Sequence, residues 1–142
     1  MPERAMTPEE SQAYLDERHV ANLVTLNADG SPHVAPAWYL HREGSLYISA
    51  GASAVKVRNI RRDARVAVSI ANTTSPAMYV LVEGRATVAS EGADDLCVEM
   101  YVRYQGRDRG IASARESREA GPSVVIRIEP SKVISWISGA DD

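Results

Sequence analysis

A chain of 142 residues with a formal net charge of −3 and an apolar fraction of 44% has the size and balance of one soluble globular domain, taken as residues 1–142. Its mild acidity, with a pI near 5.6, argues against a general nucleic-acid binder. A single cysteine, Cys97, excludes an intramolecular disulfide framework and a thiolate zinc cluster, and with neither a signal-like start nor an apolar run of about 18 residues the expected setting is the cytoplasm, away from membranes.

Thr7, Pro8, Glu9 and Glu10 form a helix-start signature that predicts a helix through about Arg18, with Tyr14 and Leu15 inward. Val20 to Leu26 reads as a strand, Asn27-Ala-Asp-Gly30 as a hairpin turn, and His33 to Leu40 as the return strand. A second turn at Arg42-Glu-Gly44 leads into Leu46–Ala50, so the first three strands are expected to form a meander.

A short helix, about Ser53 to Arg62 with Ser53 as its cap, interrupts the strands. Arg65–Ile70 and Tyr79–Ala89 are further strands, and Asp94 to about Tyr104 is helical; Gln105–Gly121 is arginine-rich and carries no readable period. Val124–Ile128 ends at Pro130, with Val133–Ile137 extending the edge after a bend. Six or seven mostly antiparallel strands with short helices point to a small barrel rather than a parallel nucleotide-binding sheet, and no Gly-x-Gly-x-x-Gly follows a strand.

Two segments carry the chemistry. Between Val55 and Val66 lie five basic residues and one acid, in a chain that is acidic overall. Lys56 falls in the first helical turn, where a cation opposes the helix dipole unless an anion compensates, and Asn59 shares its face. This reads as a small-anion site, a phosphate above all, with a solvated basic helix as the plain alternative. Ser49 and Ser53 flank the turn, placed either to cap it or to donate to that phosphate.

The second segment is Ser31-Pro-His-Val-Ala-Pro-Ala-Trp-Tyr39, where two prolines remove backbone donors and mark an edge or irregular strand. Backbone left unpaired there suits a planar heterocycle, and Ala35 and Ala37 allow close approach. His19, His33 and His41 have no metal-ligand spacing, so no metal is expected. No residue is assigned a catalytic role: His33 has no carboxylate partner in sequence, and Cys97 reads as core.

Residues 19–90 resemble the split-barrel flavin and deazaflavin oxidoreductases, the pyridoxamine 5'-phosphate oxidase-like superfamily, and within it the B group of deazaflavin-dependent reductases. The matching runs are Leu23-Val-Thr-Leu-Asn-Ala-Asp-Gly-Ser-Pro-His-Val-Ala-Pro-Ala-Trp38, Leu46-Tyr-Ile-Ser49, Lys56-Val-Arg-Asn-Ile-Arg-Arg-Asp-Ala-Arg-Val66 and Glu83-Gly-Arg-Ala-Thr-Val88. The resemblance implies a mainly β fold, a six-stranded antiparallel split β-barrel of the FMN-binding type with short flanking helices. It implies a homodimer with cofactor grooves between protomers.

By the same resemblance, Lys56, Arg58 and Asn59 fall on the phosphate-binding helix, and Ser49, Ala50 and Ser53 on the turn before it. Val34, Ala35 and Pro36 fall on the strand along the cofactor ring, and Tyr79 reaches over the ring from the partner protomer. The implied activity is hydride transfer between coenzyme F420 and a small conjugated organic substrate. An FMN-dependent oxidoreductase and a non-enzymatic flavin or deazaflavin carrier are the alternatives, since one fold hosts many functions.

Overall fold

The computed structural model describes residues 3–138. Thr7 caps α1 (Pro8–Asp16): its hydroxyl accepts the Glu10 N–H at 3.1 Å, and the Glu10 carboxylate accepts the Thr7 N–H at 2.9 Å. The helix ends two residues before the expected Arg18, because Glu17 turns extended while its N–H still bonds the Tyr14 carbonyl. Tyr14 and Leu15 are buried against the barrel.

Seven strands follow: β1 (Val20–Leu26), β2 (Pro32–Trp38), β3 (Leu40–Arg42), β4 (Ser45–Gly51), β5 (Arg65–Ala71), β6 (Ala77–Ala89) and β7 (Ser123–Ser138). They form one antiparallel sheet in the order β2-β1-β5-β6-β7-β4-β3, a curled split barrel. One strand more than the expected six arises because Tyr39 leaves the ladder, its N–H donating to the Tyr104 hydroxyl at 3.2 Å, and β3 starts afresh at Leu40.

The expected opening meander forms only in part: the Arg42–Gly44 turn makes the β3–β4 hairpin, but β2 is not laddered to β4. β2 pairs only with β1, while β4 pairs with β7 and β3. The outer edge of β2 carries two prolines and cannot present a full row of donors, so it approaches β4 without a ladder. That unzipped line is the seam of the barrel.

Alternation builds the core. Ala21, Leu23 and Thr25 on β1 face inward with Val66, Val68 and Ile70 on β5 and Val80 and Val82 on β6. Each large aliphatic removed from water contributes about 1.5–3 kcal/mol. β7 runs unbroken where two strands were expected, because the ladder slips by one residue at Glu83/Gly84 and absorbs Ser131, next to Pro130, as a bulge. Gly84 is required there: a Cβ would run into the Glu129 carbonyl oxygen.

Three more helices surround the seam. α2 (Val55–Arg62) closes one end of the barrel through buried Val57 and Ile60. The expected Ser53 cap is not made; Ala54 is the N-cap and no side chain bonds the first turn. α3 (Ala93–Gln105) seats Leu96 and Met100 on Leu40, Tyr47 and Val125. The unassigned segment is α4 (Arg107–Ala120), which turns back along α3 at Gly106 (φ 88°). The two cross so closely at Gly110 that a Cβ there would lie 2.6 Å from the Val102 Cα.

Candidate functional site

The seam exposes usable backbone. At the β1–β2 turn the Asn27 N–H donates to the Ser31 carbonyl at 2.8 Å, which sets the phase of the ladder. Counting from that bonded pair, His33, Ala35 and Ala37 exchange hydrogen bonds with Thr25, Leu23 and Ala21. Pro32, Val34, Pro36 and Trp38 therefore turn their backbone groups outward. Both prolines sit where a missing N–H costs the sheet nothing, and Val34 between them keeps an outward N–H and C=O.

Beside this edge lies a cavity of about 420 Å³, within the range usual for small-molecule and cofactor sites. One wall is Pro36, Ala37 and Trp38 of β2, and the facing wall is Ser49, Ala50 and Gly51 of β4. Small side chains on both sides leave a slot suited to a flat ring. Trp38 is held by its ring stack on Tyr104, 4.8 Å between centroids, and it meets Tyr101 edge-on at 5.4 Å. Tyr104 is itself fixed, donating to the His19 carbonyl at 2.6 Å.

Lys56 supplies the charge. It lines the cavity half-buried, and burial pushes its ammonium below the ordinary lysine value. It has no ion pair or hydrogen bond among the described residues. The first turn of α2 has no acid and no side-chain cap, so nothing in the protein offsets the positive end of the helix beside it. The Ser123 Oγ, in the same wall, is closed to solvent and has no partner. An unpaired cation at the end of an apolar slot fits a planar heterocycle that carries a phosphate.

Of the site residues expected from sequence, Pro36, Ser49, Ala50 and Lys56 converge on this cavity. Val34 and Ala35 continue the β2 edge beyond it, Val34 being 59% exposed. Ser53 lines an adjoining hollow. Arg58 is exposed and folds back to donate to the Ser53 carbonyl at 2.9 Å. Asn59 is buried, with its amide engaged by Thr25, Asn27 and Arg62. Tyr79 stands on the outer face of β6, stacked on Trp136 at 6.4 Å, and is not part of the cavity wall.

Met100, Tyr101, Ser117 and Ser123 also line the cavity and were not anticipated. They come from α3, α4 and the start of β7, a stretch whose serines and tyrosines have no motif to mark them. The histidines are dispersed: His19 contacts Glu17 at 2.9 Å, His41 contacts Asp16 at 2.7 Å, and the His33 Nδ1 is buried without a partner. Among the described residues no three His, Cys, Asp or Glu side chains gather around one point. Nor is any described helix long and apolar enough to cross a membrane.

The family described as pyridoxamine 5'-phosphate oxidase matches residues 7–137, and the chain belongs to that family. Among solved structures, a conserved hypothetical protein from Mycobacterium tuberculosis is 25% identical at a TM-score of 0.78, covering 93% of this chain and 85% of that one. An F420 reductase is 21% identical at a TM-score of 0.73, covering 89% and 98%. A FAD-binding protein from Mesorhizobium loti is 21% identical at 0.74, covering 98% and 100%. The search of curated proteins found no match.

Proposed function

We propose that this protein is a reductase that uses coenzyme F420 to reduce a small conjugated organic acceptor. The observation that carries the reading is the unpaired, half-buried Lys56 at the end of a slot walled by alanine and glycine. Similarity in fold to an F420 reductase and the sequence resemblance of residues 19–90 support the deazaflavin choice. The FAD-binding neighbour supports a second reading, an FMN-dependent enzyme or a flavin carrier, since the same cation and slot accept a flavin phosphate.

When bound, the reduced deazaflavin supplies a hydride from C5 of its ring. The chain's own residues bind, orient and shield. Lys56 neutralises the phosphate, with the Ser49 hydroxyl in the same cavity as a further donor. Ala37 and Ala50 would let a ring lie close to the backbone, and the outward Val34 N–H would be a free donor further along the same edge. Trp38 and Tyr101 wall the slot and limit water, so the acceptor is held against the ring rather than diffusing over it. No side chain of the cavity wall is assigned the proton that completes the acceptor, which solvent or a nearby side chain can supply.

We further propose a homodimer. The outer face of the sheet carries exposed Val34 and Ile134 beside half-buried Leu81 and the Tyr79–Trp136 stack, apolar groups this chain leaves partly open. A second copy laid there would close the open side of the β2 edge. The lone, buried Cys97 agrees with a reducing, cytoplasmic setting.

Side-by-side titration of the apoprotein with F420 and FMN, followed by anaerobic turnover with a panel of enones and quinones, tests the function. Tighter binding of F420 and oxidation of its reduced form by at least one acceptor is the expected result. Tighter binding of FMN shifts the assignment to the flavin reading, and binding without turnover to the carrier.

A further inference from the structure

Of the six tyrosines, three engage their hydroxyls inside the fold. Tyr14 donates to the Ile70 and Met78 carbonyls at 3.4 Å, Tyr39 to the Glu17 carbonyl at 3.1 Å and Tyr104 to the His19 carbonyl at 2.6 Å. Tyr47, Tyr79 and Tyr101 make no hydroxyl bond among the described residues, and of these three Tyr101 is the one that lines the seam cavity.

Its ring is held in place. Tyr101 stands on α3 next to buried Met100, and it meets the Trp38 ring at 89° with 5.4 Å between centroids. Trp38 is in turn clamped by the Tyr104 stack, with 7° between the planes. A half-buried phenol with a fixed ring and an unengaged hydroxyl is a preorganised donor on the cavity wall.

The cation and the phenol belong to different ends of the cavity. α2, which carries Lys56, is tied to the turn end of the β1–β2 hairpin by the bonds from Asn59 to Thr25 and Asn27. Trp38 pairs with Val20 at the open end of that hairpin, five residues on from the Thr25–His33 pair, which is about 17 Å at the rise of an extended strand. Val20 lines the cavity and is 52% exposed, so the aromatic end is open to solvent.

We propose that the second reactant binds at the aromatic end of the cavity, with its carbonyl oxygen accepting a hydrogen bond from the Tyr101 hydroxyl. The inference rests on the reading of the protein as a cofactor-dependent reductase and adds the residue that recognises the acceptor. When hydride reaches the β carbon of a conjugated carbonyl, a C–H bond forms there, the C=C π pair shifts toward the carbonyl, and negative charge gathers on its oxygen. The cofactor is oxidised by two electrons, the acceptor is reduced by two, and one proton drawn from water closes the α carbon. A donor aimed at that oxygen holds the developing charge more tightly than the starting carbonyl, so it speeds the reaction as well as placing the acceptor. Tyr101 keeps its own proton throughout.

The test compares Tyr101→Phe with the natural chain, each loaded with whichever of F420 and FMN it binds more tightly, using 2-cyclohexen-1-one as the acceptor. Infrared difference spectra of the enone, labelled with carbon-13 at its carbonyl and bound to protein holding oxidised cofactor, read the hydrogen bond itself. Anaerobic turnover with reduced cofactor gives kcat/KM, fluorescence titration gives the cofactor dissociation constant, and circular dichroism checks the fold.

Tyr101→Phe is expected to raise the carbonyl stretching frequency of the bound enone and to lower kcat/KM about tenfold to a hundredfold, with the cofactor constant unchanged. An unchanged kcat/KM, or the same carbonyl frequency in both proteins, overturns the role of Tyr101 and leaves the cofactor reading standing. A cofactor constant that rises as far as kcat/KM falls puts the phenol on the cofactor and overturns the proposal as well. A natural chain that binds cofactor but shows no bound carbonyl has no acceptor site at this end. Binding of neither F420 nor FMN overturns the cofactor reading and this inference with it.

Discussion

Asn59 on α2 donates its side-chain amide to the Thr25 hydroxyl on β1 at 3.0 Å, inside a region closed to solvent. The same Nδ2 reaches the Asn27 Oδ1 at 3.0 Å, and the Asn59 Oδ1 accepts from Arg62 at 2.8 Å. Arg62 in turn donates to the Leu26 carbonyl at 2.7 Å. One amide thus rivets the helix that carries Lys56 to the strand beside the seam.

Asn59→Ala leaves the buried Thr25 hydroxyl and the half-buried Asn27 Oδ1 short of a donor, and the expected destabilisation is about 1–3 kcal/mol. Urea unfolding should show a lower midpoint with an unchanged slope. Cofactor affinity per folded molecule should change little. Loss of affinity at unchanged stability would restore the direct ligand contact that the sequence resemblance implied.

Lys56→Ala should raise the dissociation constant of the phosphate-bearing cofactor about tenfold or more, the effect of removing a charge-assisted contact of about 1.5–3 kcal/mol. Fluorescence titration with circular dichroism alongside measures it. An unchanged constant would return Lys56 to the role of a solvated surface cation.

The burial of Lys56 also has a sign for stability. Its folded-state pKa lies below the unfolded value, so the unfolded chain binds the proton more tightly and stability rises with pH between the two values. At neutral pH the charge is therefore a burden in the ligand-free protein. Lys56→Met should raise the thermal midpoint of the apoprotein while weakening cofactor binding, an exchange of stability for function. A lower midpoint in Lys56→Met would show that the charge is already compensated within the fold.

At Glu10 the charged form helps the fold instead of burdening it, although stability again rises with pH. Its hydrogen bonds from Arg4, and then from the Thr7 backbone, hold its carboxyl down at about 2 against an ordinary 4.5. A depressed carboxyl contributes stability that is fully present above the unfolded value and is lost as pH falls through the folded one. Urea midpoints should therefore decline between pH 4.5 and about 2, and Glu10→Gln should flatten that decline. The same slope in both proteins would remove Glu10 from the acid response.

The apolar outer face predicts association through Leu81 and the Tyr79–Trp136 stack. Sedimentation at micromolar concentration should give about twice the 15.4 kDa chain mass. Leu81→Arg, which sets a charge in the middle of that face, should shift the protein to monomer and weaken cofactor binding together. A natural chain that is monomeric and still binds cofactor tightly would contradict the shared groove.

What was legible in the sequence was what local chemistry decides. Thr7, Pro8 and Glu10 announce α1 because a cap is made within four residues, and the basic run at Lys56 stands out against an acidic chain. Asn27 to Gly30 closes a hairpin whose phase then orders the whole β2 edge. Pairings between distant strands were not legible. β4 joins β7 rather than β2, a choice set by prolines that spoil one edge and by a long partner strand some 75 residues further on. α4 was hidden because its buried contacts are Gly110 and Ala114, residues too small to print an apolar period. Ser117 and Ser123 reach the cavity only because that helix folds back, so nothing in their neighbourhood marks them beforehand.

The close crossing at Gly110 has a consequence for how the protein diversifies. α4 leans on α3 and hardly on the strands, yet it supplies Ser117 and Ala120 to the hollows beside the seam. Stability is carried by the ladder and its interior, and part of the cavity wall by an appendage fastened at a bare backbone contact. Substitutions along the cavity side of α4 can re-tailor which small molecule is accepted while the barrel goes on folding as before, so closely similar barrels are free to differ in what they hold.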